Sequence, residues 1–509
     1  MQPHTERRKS LGPWGCPAAA LSFLSLMMAC GGGGSSNNNS TPPAPATIHG
    51  TSLITHLTYN WATHTLGTDP VPNPGNSTIS ALVPASGGGF TSMVGTYNPG
   101  DGSFGVNNIP TGNYWLICNH DYIWTNQAQV NLGWNVGGRK DVMLASTSPT
   151  NVVFNTTGLN PWGNYDYLQF YDFNSNLYET PTYDASTWPS LGDTTLNNLT
   201  VDWANAGGRA QPLVDTAKGD HPMLVQMVTQ GADGFQVAAS AYSPTALTMV
   251  NGVSTSVGGS LSAMSGTPMN FAFNWKRSEF WGQQALVNPS ATPYYNYFYL
   301  EGQPGTATYG MVNSMDLLAY ANFTDAGDLN PGNVMIPAPP TGFDLFTVAA
   351  TYFRKAYLLP GTTTPAADYG VIESMNATLP AASSPARMLV SPVQNPQVGS
   401  QSFFNDQSGV GLTPTLSWSA PATGMATGYV ITVRLLVNGG TYTSTIYIGR
   451  IFTGANSIQL PPGILQSGNT YYFHLTAVSA RGWNPAQEPY ASHGLPYGSA
   501  DSLSGMITP

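Results

Sequence analysis

Proline and glycine punctuate nearly the whole chain, 41 and 56 of its 509 residues. Proline removes a backbone donor and clashes with the preceding helical turn, and glycine makes any helix more costly to order, so long helices are excluded. Between the breaks lie short runs rich in Val, Thr, Tyr and Phe, such as Asn151 to Phe154, Leu168 to Phe173, Leu224 to Val228 and Phe235 to Ala241. Runs of this kind bounded by turn residues predict an all-β chain of multidomain β-sandwiches in tandem. Asn274 to Val287 reads as a short helix, with Trp275, Phe280, Ala285 and Leu286 as its apolar residues. No repeat is regular enough to argue a solenoid or propeller from the pattern.

The N-terminal segment reads as an address. Arg7, Arg8 and Lys9 precede an apolar run from Ala18 to Ala29, roughly 12 residues where a hydrocarbon core needs about 20. A charged start, a short apolar middle and a small residue before the cut describe a secretory signal over residues 1–29. Leu26-Met27-Met28-Ala29-Cys30 resembles the lipobox of bacterial lipoproteins, with Met27 where leucine is usual. That resemblance implies lipidation of Cys30, and Gly31 in place of Asp after it implies sorting to the outer membrane. Residues 30–46 are Gly, Ser, Asn and Pro-rich and uncharged, a flexible tether between anchor and first folded unit. The alternative is an ordinary cleaved signal.

Charged residues make up 8% of the chain, where about 25% is usual. The signal accounts for Arg7, Arg8, Lys9 and Glu6, which leaves 12 basic and 24 acidic side chains of the original 15 and 25. Without a Lys/Arg cluster to neutralise phosphates, nucleic-acid binding is not expected. The hydrophobic content of 41% and aromatic content of 11% are enough to bury a core. Once Cys16 leaves and Cys30 is lipidated, Cys118 stands alone, so no intrachain disulfide is expected.

Three units follow. In residues 47–146, Asp101-Gly102-Ser103-Phe104 and Val106 precede Ile109-Pro110-Thr111-Gly112-Asn113-Tyr114-Trp115-Leu116. Alternation sends Phe104 and Val106 to one face, and Tyr114 and Leu116 to the core from the next strand. The pattern resembles the carboxypeptidase-regulatory-like, or prealbumin-like, β-sandwich, with Ile48-His49-Gly50 as its opening strand and Thr65 to Pro84 as an insertion that unsettles the early register. In residues 386–509, Trp418 is followed by the alternating run Gly428 to Val433, and Tyr471, Phe473, Leu475 and Ala477 repeat at period two. This resembles a fibronectin type III domain, which implies that Trp418 is the buried strand-B tryptophan and Tyr471 the tyrosine-corner residue. Residues 149–384 form a central β-rich region that reads as one large sandwich, two smaller ones or a small propeller.

Neither resemblance carries an activity. H-E-x-x-H, G-x-S-x-G, P-loop and C-x-x-C motifs are absent. His49, His56 and His64 cluster, but eight residues of strand put His56 and His64 roughly 26 Å apart. Cys118 and His120 share a face without a third member to make a nucleophile. Lys218-Gly219-Asp220-His221 reads as a hairpin turn. Asp325, Asp328 and Asn330 set oxygen ligands around a glycine as calcium would want, though Asx-rich turns also occur without metal. After the signal only Glu179, Glu279, Glu301, Glu373 and Glu488 remain of the glutamates. If the chain is a glycosidase, Glu279 and Glu301 are the candidate pair.

Two aromatic groups stand out: Tyr165, Tyr167, Phe170, Tyr171 and Phe173, and the run Tyr294, Tyr295, Tyr297, Phe298 and Tyr299. Strand neighbours alternate, so the second run is expected to pack half its rings inside and offer the rest, with Tyr294, Tyr295, Tyr297 and Tyr299 as binding residues, to a sugar or protein partner. The expectation is a lipid-anchored envelope protein that binds glycan or surface protein without catalysis and without a cofactor. The alternatives are a secreted glycan-active hydrolase with a catalytic central region, and a structural envelope component.

Overall fold

A computed structural model describes residues 46–509 except 77, 86–87, 186, 306–311, 323–324 and 493. The expected signal, Cys30 and almost all of the tether lie outside the described residues. The fold is all-β, with isolated helical turns of at most five residues among the described residues. None of these helices is long and apolar enough to cross a membrane.

In the first unit, Ala46–Thr51 pairs with Ser103–Ile109 and with Gln129–Asn131, and a second sheet joins Phe90–Val94, Ile79–Pro84, Tyr114–Cys118 and Asp121–Thr125. The sheets enclose Ile48, Phe104, Val106, Tyr114 and Leu116, the faces that period two selects. Gly102 turns the chain at φ 72°, where a Cβ would meet Leu53 and the Ser52 carbonyl at under 3 Å. The expected insertion is itself structural. Thr65–Pro72 pairs with Leu53–Asn60, which also pairs with Trp134–Gly137, while Ile79–Pro84 enters the second sheet of the sandwich.

The central region is layered. Asn151–Thr157, flanked by Thr195–Asp202 and Thr255–Ser260, lies over Tyr167–Asp172 and Met223–Gln230 and shares a core with Phe154, Leu168, Phe170, Trp203 and Leu224. Long strands Thr292–Pro304, Met315–Asn322, Phe343–Tyr357 and Ala366–Asn376 continue the same ladder. Phe298 packs on Phe271, Phe273 and Trp275, residues of the strand Met269–Trp275. The expected helix is shorter and broken: Trp275 ends this strand, and only Arg277–Trp281 and Gln284–Val287 are helical, with Gly282 between them.

In the third unit, Gln394–Val398, Thr415–Ser419 and Ser457–Gln459 form one sheet. Thr443–Thr453, Gly428–Asn438, Thr470–Ala480 and Tyr497–Leu503 form the other. Trp418 is buried edge-on against Tyr429, with centroids 5.1 Å apart. The Tyr471 hydroxyl accepts from the Gln466 N–H at 3.0 Å.

The three units share strands. Ile372 and Met375 of the central region pair with Ala500 and Tyr497 of the third unit. Arg450 to Phe452 run parallel to Asp121 to Ile123 of the first. Side chains seal these junctions. Asp121 receives Arg450 Nε at 3.0 Å, Arg450 Nη2 at 2.8 Å and the Tyr490 hydroxyl at 2.6 Å. Asp220 receives Arg139 through two bonds of 2.7 and 2.8 Å.

Candidate functional site

The tyrosine run lies inside. From Tyr295 to Gln303 every residue of its strand is buried, on both faces. A solvent-facing row of Tyr295, Tyr297 and Tyr299 is therefore not formed, and Tyr294 is half-buried against Tyr369 at 5.0 Å. The reason is position: the strand sits between two others in the middle of a sheet covered on both sides. Tyr299, Tyr297, Tyr295 and Tyr352 form a continuous interior row with centroids 5.2 to 6.0 Å apart, and the Tyr297 hydroxyl donates to Glu373 at 2.6 Å.

Glu301 continues this row. A bulge between Leu300 and Glu301 makes Asp316, not Leu317, its opposite partner. Directly opposed residues share a face with Cβ atoms about 5 Å apart, so the bulge sets two buried acidic residues opposite each other. Asp316 accepts from the Tyr178 hydroxyl at 2.5 Å and the Tyr167 hydroxyl at 3.3 Å, and Glu301 accepts from the Ser314 hydroxyl. Gln169 stands in for a strand partner, its amide bonding both the Asp316 N–H and its carbonyl. Asp316 was not anticipated; its signal is a carboxylate within the apolar strand Met315–Asn322.

Glu279 is elsewhere in kind. It lies on a surface helical turn and pairs with Arg387 at 2.5 Å, so the pairing of Glu279 with Glu301 gives way to Glu301 with Asp316. The calcium candidates have side-chain partners of their own. Asp325 is bound by the buried Arg277 guanidinium, and Asp328 by Lys276 Nζ at 2.7 Å and Ser278 Oγ at 2.6 Å, while Asn330 is exposed on the strand Leu329–Ile336. Two cations thus hold these carboxylates, and no cluster of three or more His, Cys, Asp or Glu placed to hold a metal occurs among the described residues. Cys118 is buried, and burial, then Asp121, pushes its thiol up to about 12, while His120 is exposed.

The segment Lys218 to His221 is more than a turn. Asp220 clamps Arg139 of the first unit, and the His221 ring stacks on Trp61 at 4.3 Å. Asp172 beside them accepts from His221 N, Ser175 N and Ser175 Oγ, all at 2.6 Å. Burial, reinforced by Asp220, raises Asp172 to about 7. Burial and Asp184 likewise raise Glu179 to about 8.

An exposed aromatic surface lies in two loops before and after the strand Tyr167–Asp172. Hydrogen bonds Leu159 N to Thr194 O, Trp162 N to Asp193 O and Gly192 N to Trp162 O tie the loops together at 2.9 to 3.1 Å. They present Tyr165 at 64%, Trp188 at 51% and Leu191 at 67% exposure. Tyr165 holds φ 66°, a strained conformation for a bulky residue. Both neighbours enforce it: the Asn164 carbonyl accepts from Thr229 Oγ1 at 2.7 Å, and Asp166 accepts from Thr229 N and Gly163 N at 2.8 Å. Trp188 meets Tyr183 edge-on at 5.5 Å, and Tyr183 stacks at 6.0 Å on Tyr167, which reaches Asp316. A ring held outward by a strained backbone, with a second exposed ring in the loop tied to it, suits stacking on a flat partner. No family model and no curated protein matches the chain.

Proposed function

We propose that the protein is a lipid-anchored cell-envelope protein that binds glycan, without catalysis, through Tyr165, Trp188 and Leu191. The observation that carries this reading is Tyr165, an exposed ring on a left-handed residue whose two neighbours are bonded to Thr229. Backbone strain that the surroundings enforce is typical of ligand-contacting positions. In the same two loops Asn160, Asn164, Thr187 and Ser190 are exposed, polar and uncharged, side chains that match a hydroxyl-rich ligand. A glycan-binding screen with the full chain tests the reading. Trp188→Ala and Tyr165→Ala should each weaken binding about five- to thirtyfold, equivalent to about 1–2 kcal/mol. Unchanged binding in both variants would overturn it. The lipid anchor is tested by palmitate labelling, which Cys30→Ser should abolish.

One observation favours the hydrolase reading as a second. Glu301 and Asp316 are opposed residues on neighbouring strands, a pairing that brings Cβ atoms to about 5 Å, and a retaining glycosidase works with two carboxyl groups at such close range. Turnover of a bound glycan that is lost in Glu301→Gln and Asp316→Asn would replace the binding reading with this one.

A further inference from the structure

We propose that His474 is a proton-operated fastener between the central region and the third unit, tightening their junction as the medium acidifies. His474 lies on Thr470–Ala480, whose neighbour Tyr497–Leu503 pairs in turn with the central strand Ala366–Asn376. Both ring nitrogens face carboxylates. Nε2 is 2.7 Å from Asp501 of the third unit, and Nδ1 is 3.8 Å from Asp368 of the central region. A neutral imidazole carries one N–H, whereas an imidazolium carries two, so only the charged ring serves both sides. Asp501 extends the link, accepting from the central Val371 N–H and from Thr476 Oγ1, each at 2.7 Å.

The surrounding charges are few. Arg434 Nε stands 3.6 Å from Asp368, and the Tyr472 ring stacks on Tyr357 of the central region at 4.1 Å. Lys355 lies over Tyr357 and donates to Ser290 Oγ at 2.9 Å, with Asp406 acting on both Lys355 and Tyr357. His474 itself is 16% exposed. Burial opposes its charge, but Asp501 and then Asp368 outweigh burial and Arg434, and the imidazole is raised above its ordinary 6.5. A raised histidine contributes its full stability below the unfolded value. That contribution is lost as pH rises through the folded one.

Hydrogen exchange of the full chain tests this at about pH 5 and about pH 9, either side of the histidine range. After correction for intrinsic rates, protection of Ala366–Asn376 and Tyr497–Leu503 should fall toward the higher pH, about tenfold per unit by which His474 is raised. His474→Gln should remove the His474 share of that fall and leave only the share common to the whole body from Asp172 and Glu179, while Asp121–Thr125 keeps the wild-type pattern. If that variant fails to fold, Asp368→Asn with NMR titration of the imidazole decides: removing one carboxylate should lower the midpoint of His474. A wild-type midpoint at or below 6.5, a midpoint unmoved by Asp368→Asn, or a fall at the junction strands as large in His474→Gln as in the wild type would overturn the proposal.

Discussion

Two strands of similar composition behave differently. Along Thr470–Ala480, Tyr471, Phe473, Leu475 and Ala477 are buried while His474 and Thr476 between them are half-buried, so the alternation is easy to follow. Along Thr292–Pro304, burial is unbroken from Tyr295 onward. The first strand has a wet face over part of its length; the second has none. The exceptions in the first strand make the same point. Tyr472 is buried where Tyr357 of the central region lands on it, and Val478 joins the core of the first unit. Alternation therefore records where water reaches a sheet, and a second packing layer erases it.

The largest test of this contrast removes a ring from the doubly covered strand. Phe298→Ala should cost about 3–5 kcal/mol in denaturant unfolding, against no more than about 0.5 kcal/mol for Ile446→Ala, on the strand beside Gly428–Asn438 and 50% exposed. Double covering should also appear in the pH dependence. Tyr167–Asp172 and Leu177–Glu179 bury every residue, and there Asp172 rises to about 7 and Glu179 to about 8. The folded chain keeps two protons that the unfolded chain has released above the ordinary carboxylate range. Stability should therefore fall as pH rises from about 4 toward those values, and Asp172→Asn should flatten part of that slope in thermal melts.

On the alternating strand, Tyr471→Phe takes away the acceptor of the Gln466 N–H and should cost about 1–2 kcal/mol in the same unfolding measurement. Glu279→Gln breaks a largely exposed pair with Arg387 and should cost under about 1 kcal/mol. Calcium or a chelator should leave the melting midpoint unchanged, because Asp325 and Asp328 already hold Arg277 and Lys276.

The all-β class was legible from proline, glycine and strand-length runs, and so were inward residues wherever one face is wet, as at Phe104 and Val106. What was hidden depends on register and on distant partners. A one-residue bulge opposite Glu301 selects Asp316, and nothing local in the sequence marks it. Asp325 and Asp328 look like metal ligands until Lys276 and Arg277, some fifty residues earlier, are placed beside them. Trp188 sits in a Pro- and Ser-containing loop without periodicity, and its exposure follows only from the bonds that tie that loop to Trp162.

The parallel pairing of Arg450 to Phe452 with Asp121 to Ile123 has a mechanical consequence. Beads on a string would yield to a pull one after another. Here the last unit is stitched to the first, and tension entering at the N-terminal end passes into strands on both sides of the central region at once. In a single-molecule stretching trace this body should give way in one high rupture rather than three successive ones.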